Sequence, residues 1–127
     1  MTRAPRIIAI ALLFGATVCA QPFVYYRSIF NAASFAPSGA PNGAVAQGSI
    51  FTVFGRGLGP AAGAQAAAFP LSESVAGVSV EVCQTSTCVA ALPLFVRADQ
   101  INAVMPSNAP LGAASLRVTV DGEPGNF

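Results

Sequence analysis

The stretch from Gly48 to Gly59 constrains the fold of this chain more than any other. Its centre, Ile50 to Phe54, is made of β-branched and aromatic residues, which is typical of a strand packed against a core. Glycines border the run on both sides, so the predicted strand, residues 49–54, is short and ends in a tight turn. Other apolar runs in the chain are long enough to pair with this strand or to pack across from it.

Two downstream segments show strict alternation of apolar and polar residues. They are 78–83 and 116–120, and each predicts a half-buried strand. Apolar or aromatic runs predict further strands at 23–30, 88–96 and 101–105. Pro93 implies an edge or a bulge in the second of these runs.

Segments rich in glycine, proline and small polar residues separate these runs, and they predict loops at 31–47, 60–69, 84–87 and 107–112. No stretch has a helical period, so the pattern predicts an all-β sandwich of about six or seven short strands.

The first twenty residues have the three parts of a secretory leader. Arg3 and Arg6 precede an apolar run over 7–18, and small residues then lead to Gln21. A membrane anchor is the alternative, but a span needs about 20 apolar residues and this run has roughly fourteen. Lipidation of Cys19 is a weaker alternative, because bulky Val18 precedes it. We therefore expect a signal peptide over 1–20 and one domain over 21–127. The expected location is extracytoplasmic (secreted, periplasmic or cell surface), with no membrane insertion after cleavage.

Composition argues against two classes of partner. Only 9% of the residues are charged and the net charge is +1, which becomes −1 once Arg3 and Arg6 leave with the leader. A near-neutral domain lacks the positive surface that binds nucleic acid or anionic lipid. Neither partner is expected.

Cys83 and Cys88 flank a predicted hairpin loop and would face each other across it. An exported chain meets an oxidising compartment, which favours a disulfide between them. Two alternatives remain open: a pair of buried free thiols, or half of a zinc site. The zinc site lacks ligands, because the chain has no histidine and no second cysteine pair.

The residue types that most catalytic sites need are missing from the sequence. Without histidine or lysine there is no Ser-His, Cys-His, Ser-Lys or Schiff-base chemistry. Solvated surface positions explain the carboxylates Glu81, Asp121 and Glu123, and two carboxylates in one turn are too few for calcium. The glycines at 55–59 lack the following helix of a phosphate-binding loop. We expect no enzyme and no cofactor.

An ordered set of segments then points to a family: Asn31-Ala-Ala-Ser-Phe35, Gly48-Ser-Ile-Phe-Thr-Val-Phe-Gly-Arg-Gly-Leu-Gly59, Pro70-Leu71, Gly77-Val-Ser-Val-Glu-Val82, Pro93-Leu-Phe-Val96, Gln100-Ile-Asn102 and Pro106. Over about residues 29–127 the chain resembles the Solibacter-type C-terminal domain of secreted acidobacterial proteins, which is related to the IPT/TIG immunoglobulin-like modules. It departs from that pattern at Arg97-Ala98, where the family usually has Ser-Pro, and at the cysteine hairpin.

The resemblance implies an immunoglobulin-like fold and an extracytoplasmic, non-enzymatic role. It supplies no ligand and no site residues, because the molecular function of that family is unknown.

Two function hypotheses follow. The first is an exported module that acts in protein interaction or as a structural unit. The second is a carbohydrate-binding module, for which Tyr25 and Tyr26 are the candidate ligand face because the phenylalanines are expected in the core.

At the other end of the sequence, the turn over 121–125 is expected to lead into a partner strand that begins near Phe127. The sandwich would then lack its last strand and accept a complementing strand from another chain.

The leader hypothesis predicts that the exported protein begins at or near Gln21. N-terminal sequencing of secreted material measures this directly. An intact Met1 terminus in a membrane fraction would contradict it and would favour the anchor.

Overall fold

The computed structural model describes residues 2–3 and 21–127, so the predicted leader lies outside the described residues. The secondary-structure elements assigned in this part of the chain are all strands. The ten strands are β1 (Phe23–Asn31), β2 (Ile50–Arg56), β3 (Ala64–Gln65), β4 (Ser74–Val75), β5 (Val78–Gln84), β6 (Thr87–Ala90), β7 (Leu92–Arg97), β8 (Gln100–Val104), β9 (Ser115–Val120) and β10 (Glu123–Pro124).

The strands form two antiparallel sheets that pack together, which confirms the predicted all-β sandwich. The first sheet has the order β1-β2-β8-β7-β3. The second has the order β10-β9-β5-β4, and β6 also pairs with β5, beyond the segment that β4 covers. Three of the ten strands have only two residues. The seven longer strands agree with the prediction of about six or seven.

The predicted strand over 88–96 is wrong in one respect, because the chain changes sheets within it. β6 belongs to the second sheet and β7 to the first, with Ala91 between them. Ala91 is fully buried and donates its N–H to the carbonyl of Val80 at 2.8 Å. The bulge that Pro93 implies is present, since the pairing of β7 with β8 shifts between Pro93 and Phe95.

The core lies between the sheets and is built from the alternate residues of each strand that face the other sheet. Its fully buried members include Phe51 and Val53 of β2, Ile101 of β8, and Val80 and Val118 of the second sheet. The alternation predicted for 78–83 is confirmed for the valines, which all face this core. Burial of such side chains contributes about 1.5–3 kcal/mol each and drives the packing of the two sheets.

Gly55 has a different role from the turn geometry expected for the glycines at 55–59. It lies inside β2, opposite Val24, and a Cβ atom there would clash with the carbonyl oxygen of Phe23. Because Gly55 has no side chain, β1 can lie close to β2 at this position. Gly57, with a φ of 63°, makes the turn that follows.

The predicted turn over 121–125 and the predicted start of its partner strand near Phe127 are both wrong, because β10 lies within that range and pairs with β9. Glu123 and Pro124 pair with Val120 and Thr119, and the N–H of Gly125 bonds the carbonyl of Val118 at 2.8 Å. Asn126 then bridges to the first sheet: its side chain accepts from the N–H of Val24 at 2.8 Å and donates to the carbonyl of Val24 at 3.1 Å.

The packing predicts a large loss of stability for Phe51→Ala. This side chain is fully buried, so truncation leaves a cavity and should lower the free energy of unfolding by about 3–5 kcal/mol. Denaturant unfolding measures the change. Leu111→Ala, at a position 76% exposed, is the control and should stay within about 0.5 kcal/mol of the parent. Equal effects of the two substitutions would contradict the assigned core.

Candidate functional site: the outer face of the first sheet

Alternate residues of β2 face opposite sides of the first sheet. Phe51 and Val53 enter the core, so Ile50, Thr52 and Phe54 face outward. Cross-strand pairing extends this outer face in rows. In one row Phe30, Thr52, Asn102 and Phe95 follow one another across β1, β2, β8 and β7, and in the next row Phe54, Gln100 and Arg97 do so. The outer face therefore carries an aromatic half on β1 and β2 and a polar half on β8 and β7.

The aromatic half consists of rings that contact one another. The Phe30 ring packs edge-on against Phe54 at 5.9 Å and lies 6.1 Å from Phe35, which is 52% exposed. Ile50 is 45% exposed beside them. At the other end of β1, the guanidinium of Arg56 lies 4.7 Å from the centroid of the Phe23 ring. The aromatic half thus has two apolar clusters with members open to solvent, one around Phe30 with Phe35 and Phe54, and one at Phe23.

The polar half is a hydrogen-bonded cluster. The Oδ1 atom of Asn102 accepts from Thr52 Oγ1 at 3.1 Å and from Gln100 Nε2 at 3.0 Å. Thr52 is 1% exposed although it faces outward, so its neighbours cover it and hold its hydroxyl in place. Asn102 Nδ2 and Gln100 Oε1 make no hydrogen bond to the described residues, and each keeps its donor or acceptor capacity.

An ion pair lies at the edge of the polar half. Arg97 donates from Nε to Asp99 Oδ1 at 2.6 Å and from the terminal Nη2 to Oδ2 at 3.2 Å. The hydrogen bond from Arg97 is the main cause that holds the pKa of Asp99 below its ordinary value. Because this pKa is lowered, the ion pair contributes to stability in full above the ordinary pKa of an aspartate. The contribution is lost as the pH falls through the lowered pKa of Asp99.

Two rings border the polar half on opposite sides, Phe54 on β2 and Phe95 on β7. A Cβ atom on Gly63 would lie 3.0 Å from two atoms of the Phe95 ring, so the loop at Gly63 supports that ring directly. The φ of Gly63 is 78°, a conformation that favours glycine. Both rings are therefore fixed by their neighbours, Phe54 by Phe30 and Phe95 by Gly63.

The predicted ligand residues Tyr25 and Tyr26 lie in a bulge of β1, the edge strand of this sheet. The pairing with β2 jumps from Val24 to Ile29, and Ser28 Oγ lies 2.7 Å from the carbonyl oxygens of both Tyr25 and Phe54, to either of which it donates its one proton. Tyr25 is 47% exposed and its ring contacts Phe23, whereas Tyr26 is 86% exposed and its ring contacts Arg27. The two rings have different neighbours, and Tyr25 is the one that extends the aromatic half.

The outer face of the second sheet has another character. Cys83 and Cys88 are directly opposite in the β5–β6 pairing and form a disulfide, and Arg117 pairs with Glu81 at 2.9 Å. The Glu81 carboxylate and both sulfur atoms lie within 4.8 Å of one another, which is the spacing of metal ligands. Bonded sulfurs have no thiolate to offer, so this geometry supports the disulfide and not the zinc alternative.

A cleft of about 830 Å³ opens between the sheets, lined by Ile29, Val82, Met105, Leu111 and Leu116 among others. Its lining mixes apolar and polar residues, and it lies at the margin of the core.

The polar half was missed by sequence reasoning. The alternation of Gln100, Ile101 and Asn102 indicates that the two amides share a face. It does not indicate that Thr52, 50 positions before Asn102, is their neighbour.

Comparisons with protein-family models, with curated proteins and with solved structures found no match for this chain. Among the described residues no helix has the length and apolar character needed to cross a membrane.

The disulfide predicts a modest, redox-dependent stability. The cysteines are five positions apart, and closure of so short a loop should contribute about 2 kcal/mol to the free energy of unfolding. Reduction with a dithiol should remove that contribution without unfolding the protein, as followed by urea titration. The double variant Cys83→Ala/Cys88→Ala is the control and should not respond to the dithiol. Two alkylatable thiols in the folded, exported protein would contradict the bond.

Proposed function

We propose that this chain is an exported, non-enzymatic immunoglobulin-like module that binds a protein partner through the aromatic half of the outer face. The single observation behind this proposal is the exposed apolar surface of two ring clusters on the same sheet, Phe23 with Tyr25 and Phe30 with Phe35, beside exposed Ile50.

The chemistry of this surface is that of a protein interface. Aromatic residues and arginine are enriched in such interfaces, while lysine and acidic residues are depleted. Phe and Tyr bury a large area at a small cost in side-chain entropy, and rings held by other rings lose even less on binding. Arg56 over Phe23 provides a charged margin beside the apolar centre.

Three further features support the class of module. Antiparallel strands in two packed sheets, with a chain that changes sheets at Ala91, are compatible with an immunoglobulin-like domain. A disulfide and a leader-like N-terminus favour an extracytoplasmic location. The lack of histidine and lysine in the sequence argues for a role in binding and against catalysis.

A carbohydrate-binding module is the second candidate. The observation that favours it is the pair of half-buried amide side chains, Gln100 and Asn102, between aromatic rings on the same face.

The protein-binding proposal predicts that a photoreactive benzoyl-phenylalanine at position 35 crosslinks a partner from an extracytoplasmic extract. The same group at position 111, exposed in the loop before β9 and outside the strands of the first sheet, is the control and should not. With that partner purified, Phe35→Ala and Tyr25→Ala should each weaken binding about tenfold or more, and Leu111→Ala should leave it unchanged. Equal crosslinking at both positions, or affinity that survives both substitutions on the outer face, would overturn the proposal.

A further inference from the structure

We infer that the polar half of the outer face is a binding site for a neutral saccharide, with Asn102 and Gln100 as its hydrogen-bonding centre and Phe54 and Phe95 as its stacking walls. The inference rests on the proposed role of the outer face as the binding surface, and it assigns a ligand class to residues that the protein-binding proposal does not use.

The free polar atoms of the cluster complement a pair of sugar hydroxyls. Asn102 Nδ2 offers two N–H donors and Gln100 Oε1 offers an acceptor, because the bonds inside the cluster engage Asn102 Oδ1 and Gln100 Nε2 instead. A hydroxyl both donates and accepts, so adjacent hydroxyls of one sugar ring can satisfy the two amides together. One free atom from each of two fixed amides provides orientation as well as affinity.

The cluster is already ordered before any ligand arrives. Thr52 is almost completely buried and donates to Asn102, and Gln100 donates to the same oxygen from the other side. The side chains therefore lose little rotational freedom when they bind, which removes one of the main costs of association. A solvated, unconnected pair of amides would not have this advantage.

The flanking rings have the spacing and support of a sugar-binding platform. Phe54 on β2 and Phe95 on β7 are separated by β8 and lie in neighbouring rows, so two strand intervals and a two-residue offset place their backbones about 12 Å apart. The rings are held by Phe30 and by Gly63 respectively. Aromatic walls of this kind accept the apolar C–H faces of sugar rings, while the amides between them accept the hydroxyl edge.

The charge of the site selects against acidic sugars. Arg97 is the cation at its edge, and two hydrogen bonds to Asp99 neutralise it. The guanidinium lowers the pKa of Asp99, so the carboxylate stays ionised in mildly acidic solution and the pair keeps its charge balance. A neutral glycan fits these conditions, and the affinity should be constant between about pH 5 and pH 8.

The experiment is isothermal titration of the purified protein with cellotetraose, laminaritetraose, xylotetraose and chitotetraose, with trigalacturonate as the acidic comparison. At least one neutral oligosaccharide should bind saturably, and more tightly than trigalacturonate. Asn102→Ala and Gln100→Ala should each weaken that binding about tenfold, because each removes hydrogen bonds to the sugar. Thr119→Ala, on the outer face of the second sheet, is the matched control and should change nothing. Near-ultraviolet circular dichroism verifies that each variant is folded.

Several results would overturn the inference. The first is the absence of saturable binding of any neutral oligosaccharide to the folded protein. The second is an affinity for trigalacturonate that equals the affinity for the neutral oligosaccharides. The third is binding of a neutral oligosaccharide that survives both amide substitutions. Binding that is lost in Tyr25→Ala or Tyr26→Ala but kept in Asn102→Ala would move the sugar to the bulge of β1 and would also overturn it. If the sugars fail while position 35 still crosslinks a protein partner, the proposed function stands and only the saccharide site falls.

Discussion

The pairing of β2 on both of its edges is the constraint on which the rest of the structure depends. β1 bonds one edge and β8 the other, so the strand cannot rotate and its alternate residues enter two opposite environments. Phe51 and Val53 become the centre of the core. Thr52 and Phe54 must then lie on the outer face, where Thr52 orders the amide cluster and Phe54 borders it. The same backbone bonds thus fix the core and the candidate site.

The two outer faces of the sandwich differ in what they present. The second sheet presents mainly small polar residues, an ion pair and a disulfide, with Ser79 beside Thr119, Glu81 beside Arg117, and a single exposed ring, Phe127, over Arg117 among the described residues. Such a face is suited to contact with water. The first sheet presents rings and aliphatic side chains around amides that keep free hydrogen-bonding atoms. A surface of this kind is costly to leave in water, and this asymmetry is the physical reason for assigning binding to the first sheet.

Local pattern determines what could be predicted from the sequence. The valines of β5 alternate with polar residues, and a period of two is enough to identify the strand and its buried side. The cysteine hairpin is also local, because both partners lie on one turn. The change of sheets at Ala91 is not local: an apolar run looks the same whether it stays in one sheet or crosses to the other. The site around Asn102 depends on pairing between residues far apart in the sequence, which no single segment records.

Side-chain amide signals in a ¹⁵N spectrum of the unmodified protein can tell directly whether ligands bind to the first sheet's outer face. Asn102 and Gln100 lie on that face, whereas Gln84 bonds loop carbonyls near Leu111 and Asn126 bonds the backbone of Val24. Titration with the neutral oligosaccharides should shift the side-chain NH₂ signals of Asn102 and Gln100 and leave those of Gln84 and Asn126 in place. Shifts confined to Gln84 and Asn126, or no shift of any of the four at saturating sugar, would contradict the assignment of saccharide binding to this face.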